Sequence, residues 1–304
     1  MTGKASDQRM RGVIAPVLTP YGANLAPDPV RFVGFCRVLN GLGIGLAPFG
    51  TTGEGPSLSV DERIKLLDAL VSAGLPMDRV MPGTGCTALT DTVRLSAHAA
   101  KLGCAGVLML PPFYFKGVSD DGLFRAYAEA IERVGDARLK VYLYHFPRHA
   151  QVPLSHALIG RLAAAYPGTI VGIKDSSGDL AHTEGLCHAF PKLDVFSGSE
   201  AHLLKVLRAG GAGTINTNAN VNGAVMVELC RNWQDDSADI LQDAIAAFRQ
   251  ALRDVPLIPA VKALVALASG DDLWRLTRPP LIDLSREDEA LMLRRLADAG
   301  FPVG

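Results

Sequence analysis

Short apolar runs alternate with amphipathic stretches along most of the chain. The apolar runs have the length of β-strands and contain few polar positions, a pattern typical of parallel strands whose outer face is covered by helices. Eight of them predict strands, at residues 12–19, 45–50, 79–84, 105–112, 139–146, 169–175, 194–198 and 213–216.

The amphipathic stretches between the strands predict helices with recognisable ends. One begins at Ser59, has Glu62 three residues later and ends at Gly74, which is a capping box followed by a C-terminal glycine. Similar signals predict helices at 119–135, at 199–210 and at a stretch that starts at Thr90 or Asp91 and ends at Gly103. After about residue 235 the strands stop, and three more helices are predicted at 238–254, 256–270 and 285–300.

The order of these elements predicts an α/β fold. Eight strand–helix units in roughly 230 residues match a (β/α)8 TIM barrel. We expect a barrel catalytic domain at residues 1–235 and a C-terminal helical region, a three-helix appendage, at 236–304. A doubly wound sheet is the main alternative, but the first strand–helix turn lacks G-x-G-x-x-G and no linker divides the chain.

Composition narrows the classes of function. The 304 residues are 48% hydrophobic and 20% charged, with a net charge of −1, so no basic surface for nucleic acid or a membrane is expected. Residues 1–12 lack the apolar core of a secretory signal, and no apolar run is long enough to span a bilayer. Five scattered cysteines without C-x-x-C spacing argue against a disulfide framework or a zinc site. We expect a cytoplasmic protein with no metal and no cofactor.

Lys174 closes the apolar strand "VGIK" and is the one lysine or arginine predicted at a strand end, where function lies in a barrel. A buried ammonium is costly, and desolvation favours the neutral amine that forms a Schiff base with a ketone or aldehyde. An ion pair with Asp175 or Asp179 is the structural alternative, and Lys174 alone does not decide between the two.

Two further features lie at predicted strand ends. Tyr144 ends the strand before that of Lys174, where a phenol can shuttle protons, although such a tyrosine is more often packed in the core with its hydroxyl hydrogen-bonded. The segment "GTTGEG" at 50–55 has glycines and threonines that suit an anion, or it is a plain tight turn.

Four motifs occur together in order: "GTTGE" at 50–54, "PPFY" at 111–114, "Y-x-x-P" at 144–147 and "GIKD" at 172–175. In this order and spacing they resemble the class I, pyruvate-utilising lyase family typified by dihydrodipicolinate synthase and N-acetylneuraminate lyase. The resemblance extends from about Gly12 to the C-terminal helices. It implies a barrel with a C-terminal helical part, usually a homotetramer built as a dimer of dimers, that binds pyruvate or another 2-oxo acid and an aldehyde.

The resemblance also implies roles for individual residues. Lys174 would form the Schiff base and Tyr144 would be the proton shuttle, linked through Thr51 to Tyr114, which in many members comes from the neighbouring subunit. The implied substrate-binding positions are Gly50, Thr51 and Thr52 for the pyruvate carboxylate, Ile215 through its backbone carbonyl, and Gly198 and Glu200 for the aldehyde portion.

The segment after Tyr144 departs from the family pattern. Dihydrodipicolinate synthases have an arginine five residues after the tyrosine, whereas this chain has His149 there and Arg148 one place earlier. On an extended segment adjacent side chains point in different directions, so Arg148 is a candidate substrate-binding residue and not an automatic substitute. Two interpretations stay open for Arg148, His145 and His149. They contact the substrate, or they lie on a loop without binding it.

Four functions follow from these residues. The first is a class I aldolase or lyase acting on a 2-oxo sugar acid or a related hydroxy-oxo acid. The others are dihydrodipicolinate synthase itself, a 2-keto-3-deoxy-sugar-acid dehydratase that uses the same imine, and a non-catalytic 2-oxo-acid-binding regulatory protein.

Overall fold

The computed structural model of the chain describes residues 9–302. Most of the N-terminal stretch considered for a secretory signal, and the outermost residues of both predicted domains, therefore lie outside the described residues. Within them, seven strands form one parallel sheet in the order β2-β1-β7-β6-β5-β4-β3. The strands are β1 Gly12–Ala15, β2 Gly45–Leu46, β3 Val107–Met109, β4 Val141–His145, β5 Ile170–Asp175, β6 Asp194–Ser197 and β7 Gly213–Ile215.

The predicted strand at 79–84 does not form a regular strand. It makes isolated parallel bridges, from Val80 to Leu46 of β2 and from Gly83 to Leu108 of β3. Pro82 lies between them and has no N–H to donate, which interrupts the ladder. The segment still fills the gap between β2 and β3, so the predicted (β/α)8 barrel is confirmed although one of its strands is irregular.

Helices follow the strands on the outside and continue after β7. The α-helices are α1 Pro29–Gly41, α2 Val60–Ser72, α3 Leu89–Lys101, α4 Asp120–Val134, α5 Pro147–Ala150, α6 His156–Ala165, α7 Leu180–Ala189, α8 Leu203–Arg208, α9 Ala219–Asn232, α10 Ala238–Ala251, α11 Leu257–Ser269 and α12 Arg286–Asp298. The capping box of α2 at Ser59 and Glu62 is confirmed.

Two predicted helices differ from those observed. Helix α3 begins at Leu89, before Thr90 and Asp91, and no side chain caps it. The segment predicted as one helix at 199–210 is a 3-10 turn, Glu200–His202, followed by α8. The Glu200 side chain is held inward by hydrogen bonds from Asn218 and Arg249, which favours the tighter turn at this point.

Side chains from most of the strands and from residues next to them fill the barrel interior. Tyr142 of β4 occupies much of this space, and a Cβ atom at Gly172 of β5 would collide with its ring. The glycine of "VGIK" therefore makes room for a neighbouring aromatic side chain. The other interior side chains include Ile14, Ala47, Met81, Leu108, Val171 and Phe196.

The three predicted C-terminal helices are present as α10, α11 and α12. They pack on the barrel, where the Trp274 ring lies 4.9 Å from that of Phe35 of α1. The division of the chain near residue 235 stays a prediction. Among the described residues no helix is long and apolar enough to cross a membrane, and all five cysteines are free thiols.

A surface pair ties the C-terminal region to α2 and predicts an acid transition. Arg278 Nη2 donates to Glu62 Oε1 over 2.8 Å, and this contact lowers the pKa of Glu62 to about 2 from an ordinary 4.5. Because the folded-state pKa is below the unfolded one, the contribution to stability is full above pH 4.5 and is lost as the pH falls toward 2. We expect Glu62→Gln to flatten this part of the curve of unfolding free energy against pH. Glu287→Gln, at an exposed position of α12, is the control that makes the same change of side chain away from Arg278.

Candidate active site

Lys174 and Tyr144 are direct neighbours across β5 and β4. The Lys174 Nζ lies 4.3 Å from the centroid of the Tyr144 ring, and both side chains are buried, Lys174 with only 5% of its surface exposed. Parallel pairing places the carboxyl ends of the two strands side by side, so the order of the strands brings the amine and the phenol together.

Neither carboxylate considered as a partner for Lys174 pairs with it. Asp175 accepts hydrogen bonds from Ser177, His182 and Thr183, and Asp179 caps the amino end of α7. Successive residues of a strand point to opposite faces, so Lys174 lies inside the barrel and Asp175 outside. Within residues 9–302 Lys174 forms no ion pair. The alternative of an ion pair with Asp175 or Asp179 is therefore wrong.

The loop "GTTGEG" lies next to the pair. Thr51 Oγ1 is 3.3 Å from the Tyr144 hydroxyl, and Thr52 Oγ1 is 2.8 Å from Thr217 Oγ1. No acceptor in the described chain receives the backbone N–H of Thr51 or Thr52. Two adjacent unpaired amides suit a carboxylate, because such groups form small anion-binding concavities.

This loop is rigid for steric and electrostatic reasons. A Cβ atom at Gly55 would collide with the carbonyl oxygen of Phe49, and Glu54 has a left-handed backbone with φ of 54°. The Glu54 carboxylate is fully buried, where it accepts hydrogen bonds from Lys262 of α11 and from the backbone N–H of Arg278. The C-terminal region therefore fixes the loop that carries Thr51 and Thr52.

A cavity of about 670 Å³ opens over these groups. Its walls include Thr51, Thr52, Tyr144, Lys174, Ile215, Gly198 and Glu200, so most of the residues expected from sequence share one space. Gly50 lines a smaller neighbouring cavity of about 220 Å³, together with Thr51 and Tyr144.

Tyr114 is not brought to this cavity within the chain. It follows β3 with 74% of its surface exposed, and its ring packs edge-on against Phe115. In the described residues no hydrogen bond joins Tyr114 to Thr51, so the predicted link between them is absent from the single chain.

Glu200 lines the cavity but its carboxylate is already occupied. Asn218 Nδ2 donates to it over 2.6 Å and Arg249 Nη1 over 3.1 Å, and the residue is 1% exposed. Sequence reasoning missed Arg249, because no local signal shows that this position on α10 reaches the end of β6. His202 lines the same cavity and was missed too. Burial is the main cause that lowers the pKa of His202, and the nearby charge of Arg249 lowers it further.

The segment after β4 is helical, which corrects the expectation of an extended segment. Pro147 begins the short helix α5, as its fixed φ favours at a first helical position. Arg148 and His149 are therefore successive helical residues, and both line the cavity. The His149 ring stacks on Phe146 with centroids 4.3 Å apart, and burial together with the charge of Arg148 lowers the pKa of His149.

His145 lies behind the cavity in a cluster with Asp175 and His182. His182 Nδ1 donates to Asp175 Oδ2 over 3.0 Å, and the two imidazole rings stack with centroids 4.9 Å apart. Burial raises the pKa of Asp175, but hydrogen bonds from Thr183 and His182 outweigh it and leave the pKa below the ordinary value. His145 Nε2 lies 4.0 Å from Asp175 Oδ1, and His145 does not line the cavity, which answers the question left open for it.

The chemistry of this cluster does not suit a metal ion, although its ligand atoms lie within 4.8 Å of one another. A metal-bound histidine donates its other ring N–H to an acceptor. His145 Nδ1 instead accepts the backbone N–H of Leu154 over 3.1 Å, so in the neutral ring Nε2 carries the proton. No lone pair on His145 then faces Asp175.

Comparison with known proteins gives one consistent family. The model of the dihydrodipicolinate synthetase family matches residues 9–299. A DapA-like lyase of Chloroflexus aurantiacus is 36% identical, covering 93% of this chain and 94% of its own. The structure of dihydrodipicolinate synthase from Agrobacterium tumefaciens superposes with a TM-score of 0.89 at 32% identity, covering 95% of this chain and 99% of that one.

A third relative is YagE of Escherichia coli, a putative 2-dehydro-3-deoxy-D-gluconate aldolase. It is 32% identical, covering 81% of this chain and 80% of its own. Its structure in complex with pyruvate has a TM-score of 0.86 at 27% identity, covering 96% of this chain and 99% of that one. The chain belongs to the dihydrodipicolinate synthetase family, a family of lyases and aldolases.

Proposed function

We propose that the protein is a class I aldolase that joins or cleaves pyruvate and an aldehyde through a Schiff base on Lys174. Its substrate class is the 4-hydroxy-2-oxo acids, which include the 2-oxo sugar acids. One arrangement carries the proposal: the buried Lys174 has no carboxylate partner in residues 9–302 and lies 4.3 Å from the Tyr144 ring, at the floor of a cavity. The pyruvate bound to the related YagE supports the choice of 2-oxo acid.

The cleavage reaction follows from these positions. The Lys174 amine attacks C2 of the substrate, and loss of water gives an imine while the carboxylate lies on the amides of Thr51 and Thr52. The Tyr144 hydroxyl gives its proton to the oxygen that leaves C2 as water, and the resulting phenolate takes the proton of the C4 hydroxyl. The C3–C4 bond breaks, and its electron pair moves into the protonated imine as an enamine. The aldehyde leaves, the enamine takes a proton at C3, and water releases pyruvate from Lys174. Condensation is the reverse path.

Tyr114 enters this proposal through a second copy of the chain. A tyrosine with 74% of its surface exposed, beside an exposed Phe115, is an unusual solvent-facing pair. We propose that Tyr114 reaches Thr51 of a neighbouring subunit in a homotetramer and completes the path for protons from Tyr144.

Two related activities use the same imine. Dihydrodipicolinate synthase is favoured by the likeness to the Agrobacterium tumefaciens enzyme, and its test is turnover of pyruvate with aspartate semialdehyde. Elimination of water from a 2-keto-3-deoxy sugar acid is the dehydratase alternative, and a panel of such acids separates it from aldol cleavage. Binding without catalysis is disfavoured because Lys174, Tyr144 and Thr51 are assembled in one place.

Borohydride reduction in the presence of pyruvate tests the proposal. Reduction of the imine fixes the pyruvate carbons on the amine, and peptide mass spectrometry locates the adduct. We expect it at Lys174 and not at Lys262, which is equally buried but is paired with Glu54 and lies away from the cavity. Absence of an adduct at Lys174 would contradict the proposal.

The Tyr144→Phe variant separates proton transfer from imine formation. Without its hydroxyl we expect kcat for aldol cleavage to fall by about 10²–10³-fold, because general acid–base catalysis is lost. The borohydride adduct at Lys174 should still form when incubation is long. Steady-state kinetics and trapping of the same sample measure both, and an unchanged kcat would remove Tyr144 from the mechanism.

A further inference from the structure

The C-terminal region forms an apolar wall on the cavity of Lys174. This wall consists of Leu257 and Ile258 at the start of α11 and of Leu281 and Ile282 in the segment before α12, and all four line the cavity. Ile282 has 79% of its surface exposed, and the other three are half-buried. Large apolar side chains exposed at the mouth of a cavity mark a surface that a ligand covers.

The polar side chains of the cavity, which include Arg148, His149 and His202, lie on other segments than this wall. Thr51 and Thr52 surround the floor, where the carboxylate of pyruvate belongs. Glu200, the acidic residue of the cavity wall, forms an ion pair with Arg249 and accepts a hydrogen bond from Asn218. A polyhydroxylated chain lying along the apolar wall would lose water without gaining hydrogen-bond partners there.

We propose that the aldehyde half of the substrate carries a branched-alkyl or aryl group that packs on the wall of Leu257, Ile258, Leu281 and Ile282. This inference rests on the proposed function and narrows its substrate class from 4-hydroxy-2-oxo acids in general to those with an apolar substituent at C4. The cavity of about 670 Å³ is large enough for pyruvate and such a group together.

The reaction on such a substrate balances without a further reactant. In the condensation direction, C3 of the enamine on Lys174 forms a bond to the aldehyde carbon. The aldehyde oxygen takes a proton from the Tyr144 hydroxyl and becomes the C4 hydroxyl. Water then cleaves the protonated imine, and the proton released in this step returns to the Tyr144 oxygen. Lys174 is freed, and the product is a 4-hydroxy-2-oxo acid with the apolar group on C4.

The test compares apolar and hydroxylated aldehydes with pyruvate as the common donor. Benzaldehyde and isobutyraldehyde are assayed beside D-glyceraldehyde, and product formation gives kcat/KM for each. We expect at least a tenfold higher kcat/KM for the better apolar aldehyde than for glyceraldehyde. Imine trapping with pyruvate is measured on the same preparation.

Variants of the wall locate the effect. We expect Ile258→Asn combined with Ile282→Ser to raise KM for the apolar aldehyde about tenfold, with little change for glyceraldehyde and none in pyruvate trapping. Ile240→Ser is the matched control, because Ile240 has 72% of its surface exposed on α10 and does not line the cavity. Ile282→Ser alone changes an exposed side chain and keeps the test valid if the double variant does not fold.

The outcomes separate the two proposals. A preference for glyceraldehyde, no turnover of either apolar aldehyde, or equal effects of the wall variants on all aldehydes would overturn the inference while trapping at Lys174 keeps the aldolase proposal. Loss of trapping in the unmodified protein would overturn the aldolase proposal itself.

Discussion

Replacing Lys174 with methionine is expected to abolish aldol cleavage, with kcat/KM reduced by at least about 10⁴-fold. Methionine keeps most of the side-chain volume and removes the amine, so no imine forms and the C3–C4 bond has no electron sink. The measurement is the rate of pyruvate release, together with borohydride trapping, which should give no adduct.

The fold of this variant provides the control. Lys174 is buried without a carboxylate partner in the described residues, so its removal leaves no charge behind. We expect the midpoint temperature of thermal unfolding of Lys174→Met to stay within a few degrees of that of the unmodified protein. We expect Lys174→Arg to be as inactive as Lys174→Met. If either variant keeps more than about 10⁻² of the kcat/KM of the unmodified protein, Lys174 is not the nucleophile.

The proximity of Lys174 to Tyr144 could be predicted because it depends only on the order of parallel strands. Strands that are neighbours in sequence are neighbours in a barrel, and their carboxyl ends lie at one rim. The capping box of α2 at Ser59 and Glu62 was predictable for a similar reason, since all of its contacts are within one helical turn.

Other features depend on contacts that local patterns do not contain. Arg249 and Glu200 are 49 positions apart, and their ion pair exists only because α10 packs against the 3-10 turn that follows β6. The same holds for Leu257 of the apolar wall. Pro82 was visible in the sequence, but its effect on the strand at 79–84 is a local interruption that does not open the barrel.

The loop of Thr51 and Thr52 and the C-terminal region are connected through the buried carboxylate of Glu54. Lys262 of α11 pairs with Glu54, whose left-handed backbone sets the direction of the chain after Thr51 and Thr52. The segment that follows α11 also supplies the backbone N–H of Arg278 to Glu54. The C-terminal region therefore shapes both the loop of Thr51 and Thr52 and the apolar wall of the same cavity.

Replacing Lys262 with methionine is expected to reduce the free energy of unfolding by about 3–5 kcal/mol, because it leaves the Glu54 carboxylate buried without its cation. Both side chains are fully buried, and burial lowers the pKa of Lys262 while Glu54 opposes that shift. Denaturant unfolding measures the change, and KM for pyruvate should rise because the Thr51–Thr52 amides lose their fixed positions.

A matched pair separates this effect from a general loss of charge. Arg94→Ala breaks the exposed ion pair with Asp61, and we expect it to cost less than about 1 kcal/mol. In the double variant Glu54→Gln with Lys262→Met no buried charge remains, so it should be less destabilised than the sum of the two single variants. A loss below about 1 kcal/mol in Lys262→Met would mean that Glu54 takes up a proton or finds another donor, and that α11 does not hold the loop.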